Sequence, residues 1–250
     1  MNFKLTIQYD GTEFHGWQEQ GDLRTVQSEL TQVLELLDGR KVVVNGSGRT
    51  DAGVHAEGQV ANVVLERQFS ADKLRAAING NLASDLRVID VQLVSRDFHA
   101  RLSAREKTYI YRAVNGPVIS PFWNRYACHE ARPLDIDRMN RAGALFLGTR
   151  DWTAFSAAQT DADNRVRTIT RLEVSVRIDA RAPGPMIEIN VAANGFLRYM
   201  VRSIAGTLLA VGRGELDEKE VQQAIESGDR SLAGPTAPAR GLALFSVSYD

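Results

Sequence analysis

Apolar and polar residues alternate from residue 3 to residue 9 (Phe3, Leu5, Ile7, Tyr9), the two-residue period of a half-buried strand, and Asp10-Gly11-Thr12 closes it with turn chemistry. From Thr25, a candidate N-cap, the period changes. Val26, Leu30, Val33, Leu34 and Leu37 form a helical stripe that stops at Gly39. Strands are expected near 41–46 and 57–66, then a helix capped by Ser70 that carries Leu74, Ala77 and Ile78, then a strand over 86–94. That order is β-α-β-β-α-β. The succession then returns, with a strand at 108–114, a helix at 136–147, and strands at 168–178 and 186–193 around Ala182-Pro183-Gly184-Pro185. A long helix at 197–211, an extra helix at 217–225 and a last strand at 242–249 complete it. The halves share a pattern without evident sequence identity. The pattern predicts an α+β protein of two ferredoxin-like βαββαβ halves, 1–102 and 103–250, whose antiparallel sheets join side by side around a central cleft. The boundary is expected near 96–106.

Composition narrows the class. With 250 residues, 44% hydrophobic and 24% charged, the chain can bury a sizeable core and is neither disordered nor fibrous. No apolar run approaches the roughly 18 residues that span a bilayer, and the start lacks a charged segment followed by an apolar one, so a cytoplasmic protein with no membrane partner is expected. The single cysteine, Cys128, excludes an internal disulfide framework. Formal net charge is only -1, so any binding of nucleic acid must come from a local patch.

The candidate chemistry lies in Gly46-Ser47-Gly48-Arg49-Thr50-Asp51-Ala52-Gly53-Val54-His55-Ala56, between the apolar runs 42–44 and 60–65. Three glycines imply a sharply bent loop that presents Arg49, Asp51 and His55. A third glycine for a dinucleotide fingerprint is missing where Asp51 stands, and no Gly-Lys-Ser/Thr closes a phosphate loop. His55-Ala56-Glu57 matches half of a zinc deaminase site, but the two cysteines of the other half are absent, so no metal is expected. What remains is a loop carboxylate beside a guanidinium. Next to it in sequence interest is Glu13-Phe14-His15-Gly16-Trp17-Gln18-Glu19-Gln20, whose aromatics are as well suited to capping the core as to function.

Positive charge gathers elsewhere: Arg96, Arg101, Arg105, Lys107 and Arg112 near the boundary, then Arg165, Arg167 and Arg171, then Arg198, Arg202 and Arg213. Interleaved with Phe98, Tyr109, Tyr111 and Tyr199, these arginines suit phosphate contacts combined with base stacking.

Five separated motifs give the chain a family resemblance. They are Tyr9-Asp10-Gly11-Thr12 with Gly16-Trp17-Gln18-Glu19-Gln20; Gly48-Arg49-Thr50-Asp51-Ala52-Gly53-Val54-His55-Ala56; Phe98-His99-Ala100-Arg101 running into Ser103-Ala104-Arg105-Glu106-Lys107-Thr108-Tyr109-Ile110-Tyr111; Asn194-Gly195-Phe196-Leu197-Arg198-Tyr199-Met200-Val201-Arg202; and Thr236-Ala237-Pro238-Ala239-Arg240-Gly241-Leu242. In this order they resemble the tRNA pseudouridine synthase A family over almost the whole chain. Asp151-Trp152-Thr153-Ala154-Phe155 matches more loosely, where the family usually looks like Asp-Phe-x-Ser-Phe.

The resemblance implies isomerisation of uridine to pseudouridine at positions 38, 39 and 40 of the tRNA anticodon stem-loop, without cofactor, by a homodimer. Asp51 looks like the family's catalytic aspartate, Arg202 matches the position that pairs with it, and Tyr109 resembles the tyrosine that stacks on the target base. Substrate contacts are expected from Arg49, His55, Arg101, Arg105, Arg165 and Arg167 as well as Tyr109. A stem-loop base must be extruded at a cost of about a few kcal/mol, and Arg49 is placed to grip the displaced backbone. Two readings compete with catalysis on tRNA. A non-catalytic RNA-binding protein of ferredoxin-like fold would not need Asp51, and a small-nucleoside hydrolase would use Asp51 and His55 as an acid and base pair.

Overall fold

The computed structural model describes residues 1–158 and 164–249. The chain divides into two compact units, one formed by Met1–Arg105 together with the segment from Leu244 onward, the other by Glu106–Ala243. Ten strands and five α-helices occur among the described residues.

In the first unit β1 (Asn2–Tyr9) leads to α1 (Val26–Asp38), β2 (Val44–Gly46), β3 (His55–Val64), α2 (Ala71–Asn81) and β4 (Leu86–Val94). β1 runs antiparallel to both β3 and β4, and β2 adds to β3. The alternation read from sequence holds, since Phe3, Leu5, Ile7 and Tyr9 are buried. Thr25 caps α1 in a reciprocal box with Ser28, and Gly39 ends it in the left-handed region at φ 78°. Ser70 precedes α2 without a side-chain capping bond, contrary to expectation. β2 is also shorter than expected. Val43 is 72% exposed, so only the residues from Val44 onward join the sheet.

In the second unit come β5 (Glu106–Asn115), β6 (Cys128–Glu130), α3 (Ile136–Ala144), β7 (Gly148–Asp151), β8 (Val166–Arg177), β9 (Met186–Ala193), α4 (Met200–Gly212) and α5 (Glu218–Ser227). The strand order is β5-β9-β8-β7, antiparallel throughout, with β6 parallel to β5. α4 is buried at every position except Arg202. Its small residues have a packing reason: a Cβ on Gly206 would fall on the Pro235 carbonyl, so only glycine lets the 234–237 segment lie against the helix. Thr207 Oγ1 accepts the Gly234 N–H at 2.9 Å on the same face. α3 ends at Ala144 and not Leu147, because the N–H groups of Leu145, Phe146 and Leu147 bond three residues back and tighten the chain. Phe146 thereby joins a cluster with Trp152 and Phe155, all fully buried.

β10 (Leu242–Ser248) ends the chain, and from Leu244 it belongs to the first unit, whereas the sequence pattern assigns it to the second half. There Arg105 N–H donates to the Ser248 carbonyl at 3.0 Å, and the Tyr249 hydroxyl donates to the Ala100 carbonyl at 2.7 Å.

Candidate active site

The glycine loop between β2 and β3 is fixed from beneath by buried polar groups. Ser47 N–H donates to the Val60 carbonyl at 2.7 Å, Ser47 Oγ donates to Gln59 Oε1 at 2.7 Å, and Gln59 Nε2 donates to the Gly48 carbonyl at 3.0 Å. Thr50 is held from both ends. Its hydroxyl shares a hydrogen bond with Tyr9 Oη at 2.8 Å, and its carbonyl accepts the Trp17 N–H at 3.1 Å. Burial pushes the Tyr9 phenol up to about 12, against the opposing effect of the Thr50 and Gln59 hydrogen bonds, so it stays a neutral anchor.

The aromatic loop 13–20 serves this support. Phe14 and Trp17 are buried, the Phe14 carbonyl accepts the Gly53 N–H at 3.3 Å, and Trp17 fills the space beside Gly46, where a Cβ would sit 2.4 Å from its ring. Gly16, at φ 91°, brings the same loop so near that a Cβ would lie 2.6 Å from the Thr50 carbonyl oxygen. Arg24 clamps the far end with two bonds to Asp85 at 2.8 and 3.0 Å, while its guanidinium lies 4.2 Å from the Phe14 ring centroid. That clamp holds the Asp85 carboxyl below the usual carboxylate range.

On this platform Arg49 is exposed and donates through Nε to Gln18 at 3.1 Å, and Asp51 is half-buried with its carbonyl accepting the Val54 N–H at 3.1 Å. His55 differs from the sequence reading of an outward-facing side chain. It is the first residue of β3 and 5% exposed, and its Nδ1 accepts the Gly11 N–H at 3.0 Å with Asp10 Oδ1 3.3 Å away. The loop therefore presents two side chains, and the third ties it to the turn after β1.

The segment 95–105 in the same unit presents Arg96, Arg101 and Arg105, all exposed. Asn2 Nδ2 binds the carbonyls of Ser95 and Phe98, each at 2.9 Å, and buried Asn62 accepts the Ala100 N–H at 2.9 Å. Phe98 packs on Tyr249 at 5.0 Å between centroids. These bonds hold a loop that has no ladder of its own.

In the second unit Tyr109 lies on β5 opposite Val191, 6% exposed, with its ring edge-on to Phe196 at 5.0 Å and 84°. Gly195 beside it leaves room for Arg167, whose Nε would be 3.4 Å from a Cβ there. Arg165 and Arg167 organise backbone: Arg165 donates to the Ala158 carbonyl at 3.0 Å, and Arg167 to those of Asn164 and Val166 at 2.9 and 2.7 Å. Trp152, where the motif departs from its usual phenylalanine, stacks on Phe146 and donates Nε1–H to the Arg167 carbonyl at 2.9 Å. Arg202, on the one half-buried position of α4, donates Nε to the Ala237 carbonyl at 2.8 Å, and its own carbonyl accepts the Ala237 N–H at 3.0 Å. The motif 236–242 thus grips the motif 194–202. Of these supports, Tyr9 and Thr50 lie in motifs that the sequence singles out, whereas Arg24, Gln59 and Asn62 lie in none and become visible only through their bonds. Among the described residues no group of three or more His, Cys, Asp or Glu is arranged to hold a metal ion, and no helix is long and apolar enough to cross a membrane.

The chain belongs to the tRNA pseudouridine synthase family, whose profile matches residues 5–102 and 142–250. A relative from Bacillus sp. (strain KSM-64) is 43% identical over 99% of each chain, and one from Ruminiclostridium cellulolyticum is 43% identical over 98% of each. A third, from Thermodesulfovibrio yellowstonii, is 40% identical over 100% of both. All three carry the name tRNA pseudouridine synthase A.

Proposed function

We propose that this chain isomerises uridine to pseudouridine at positions 38, 39 and 40 of the tRNA anticodon stem-loop, with Asp51 as the catalytic carboxylate. Family membership carries the general part: the chain is an isomerase of uridine in tRNA. The reaction breaks the C1′–N1 bond, turns the uracil, forms C1′–C5 and loses the C5 proton while N1 takes up one. It balances without oxidant or co-reactant, so no cofactor is required. Asp51 acts ionised, as a nucleophile or a base, and Arg202 is its guanidinium partner, since an opposite charge favours the carboxylate. Tyr109 stacks on the uracil and assists loss of the C5 proton. Arg49 grips the extruded strand, and Arg101, Arg105, Arg165 and Arg167 bind phosphates without reading sequence. His55 contributes by fixing the loop against the turn after β1.

Two ferredoxin-like halves, a homodimer and a cytoplasmic location belong to the same proposal. The first unit's strand order, β4-β1-β3 with β2 on β3, supports the first of these. The observation that carries the assignment of Asp51 is its position, half-buried in a loop whose residues Ser47, Gly48 and Thr50 are held in place by Gln59, Tyr9 and Trp17. The test is tritium release from C5-labelled uridine in unmodified tRNA. The wild-type protein releases tritium, and Asp51→Ala binds tRNA but releases none. Release by Asp51→Ala would remove the assignment.

A further inference from the structure

Tyr199 is the one non-glycine residue at positive φ among the described residues, at 64°. It stands at the N-cap of α4, and its side chain makes no capping bond. A tyrosine gains nothing locally from the left-handed region, which glycine or asparagine occupies at less cost, so its surroundings must impose the conformation. Strained residues of this kind gather where a side chain has to point in one direction.

The Tyr199 ring shows what that direction serves. The Arg202 guanidinium carbon lies over it, 5.1 Å from the centroid, and that of Arg198 lies 4.9 Å away with Nη2 donating to the phenol oxygen at 3.2 Å. The Tyr199 carbonyl accepts the Ser203 N–H at 2.8 Å, which starts the helix. Arg202 is thus oriented from two sides: Nε is committed to the Ala237 carbonyl, and the guanidinium lies over the ring. A cation over an aromatic face is attracted by the ring quadrupole, most strongly where water is partly excluded, and Arg202 is half-buried.

We infer that Tyr199 is a positioning residue, whose strained backbone and ring set the orientation of the Arg202 guanidinium for the isomerisation. The inference rests on the reading of Arg202 as the partner of the catalytic carboxylate. Capping alone would not need an aromatic ring, and packing alone would not need positive φ.

The test measures single-turnover rate, tRNA Kd and Tm for Tyr199→Leu, Tyr199→Gly and Tyr199→Phe, and for Tyr199→Leu in an Arg202→Lys background. Leu and Gly lower the rate by about tenfold or more while Kd stays within about twofold, and Phe recovers most of the rate. Gly does not lower Tm, because it relieves the backbone, so rate and stability separate. With Arg202→Lys present, Tyr199→Leu costs less than about twofold further. Wild-type rate in Tyr199→Gly, or Phe as slow as Leu, overturns the inference, as does a full multiplicative loss in the double variant. A slow Arg202→Lys with a fast Tyr199→Gly overturns this inference alone, whereas a fast Arg202→Lys removes the reading of Arg202 itself.

Discussion

Gly16→Ala tests whether the loop 13–20 sets the position of the Asp51 carboxylate. At φ 91° an alanine pays the left-handed penalty of about 1–2 kcal/mol. Its Cβ would stand 2.6 Å from the Thr50 carbonyl oxygen, 0.8 Å inside the 3.4 Å at which ordinary contact begins, and 3.2 Å from the Asp51 carbonyl carbon. Relief requires the 50–52 backbone to retreat, which breaks or stretches the 3.1 Å bond from Trp17 N–H to Thr50, worth about 0.5–1.5 kcal/mol. The sum is about 1.5–3.5 kcal/mol. For a chain of this size that lowers Tm by roughly 3–14 °C. The retreat carries Asp51 with it, and a misplacement on the order of 1 Å costs about 10²-fold in rate. Thermal melting by circular dichroism and single-turnover tritium release read the two effects. Gly21→Ala is the control: Gly21 also has positive φ, at 49°, but nothing lies within 4 Å of a Cβ there, so it loses about 1 kcal/mol and keeps its rate. Equal damage from both variants, or a wild-type rate in Gly16→Ala, would refute the reasoning.

Asp51→Asn should fold and bind tRNA while losing isomerisation, because the amide keeps the shape of the side chain but removes its charge and nucleophilicity; turnover near wild type would exclude Asp51. Replacing Arg101 and Arg105 together with glutamine should flatten the log K against log salt slope for tRNA by about one to two, at roughly 0.7–0.9 per phosphate, whereas Tyr109→Leu lowers turnover with the slope intact. Asp38 provides a pH test of the fold. Its side chain is buried, which raises its pKa, but Arg40 Nε and the N–H groups of Arg67 and Glu66 outweigh that and hold the carboxyl below its ordinary value. A depressed folded pKa contributes stability that is present above the unfolded value of about 4 and is lost as pH falls below it. The stability gap between wild type and Asp38→Asn in urea should therefore be full at neutral pH and close in acid; a gap independent of pH would contradict it.

Much of this was legible in the chain because period and caps agree. β1, α1, β4, β9 and α5 carry a clean alternation or stripe with a matching start signal, as in the box that Asp217 and Glu220 close at α5. The edge strands β6 and β7 have three and four residues, too few for a period, and β7 is exposed at every position. α4 begins at Met200 and not at residue 197 because Tyr199 turns left-handed, a choice made by contacts with Arg198 and Arg202 that apolar spacing does not encode. The loop bearing Asp51 stands out in the sequence by its glycines and its acid. Its supports Gln59 and Asn62 do not, since they are ordinary polar residues until burial makes their hydrogen bonds obligatory.

The last strand gives the chain a particular order of assembly. Tyr249 reaches back 149 residues to the Ala100 carbonyl, and Ser248 receives the Arg105 N–H, so the first unit is closed by residues made after the whole second unit. During synthesis the platform under Asp51 and the segment bearing Arg101 and Arg105 wait with one side of β3 uncovered. A Cβ on Gly58 would stand 2.4 Å from the Phe245 carbonyl, which shows how closely that side is later occupied. Contacts of such long separation form late, since the loop-closure entropy must be met before they are gained. The first unit is consequently completed only once residues 244–249 have been made, although nearly all of it precedes the second in the chain.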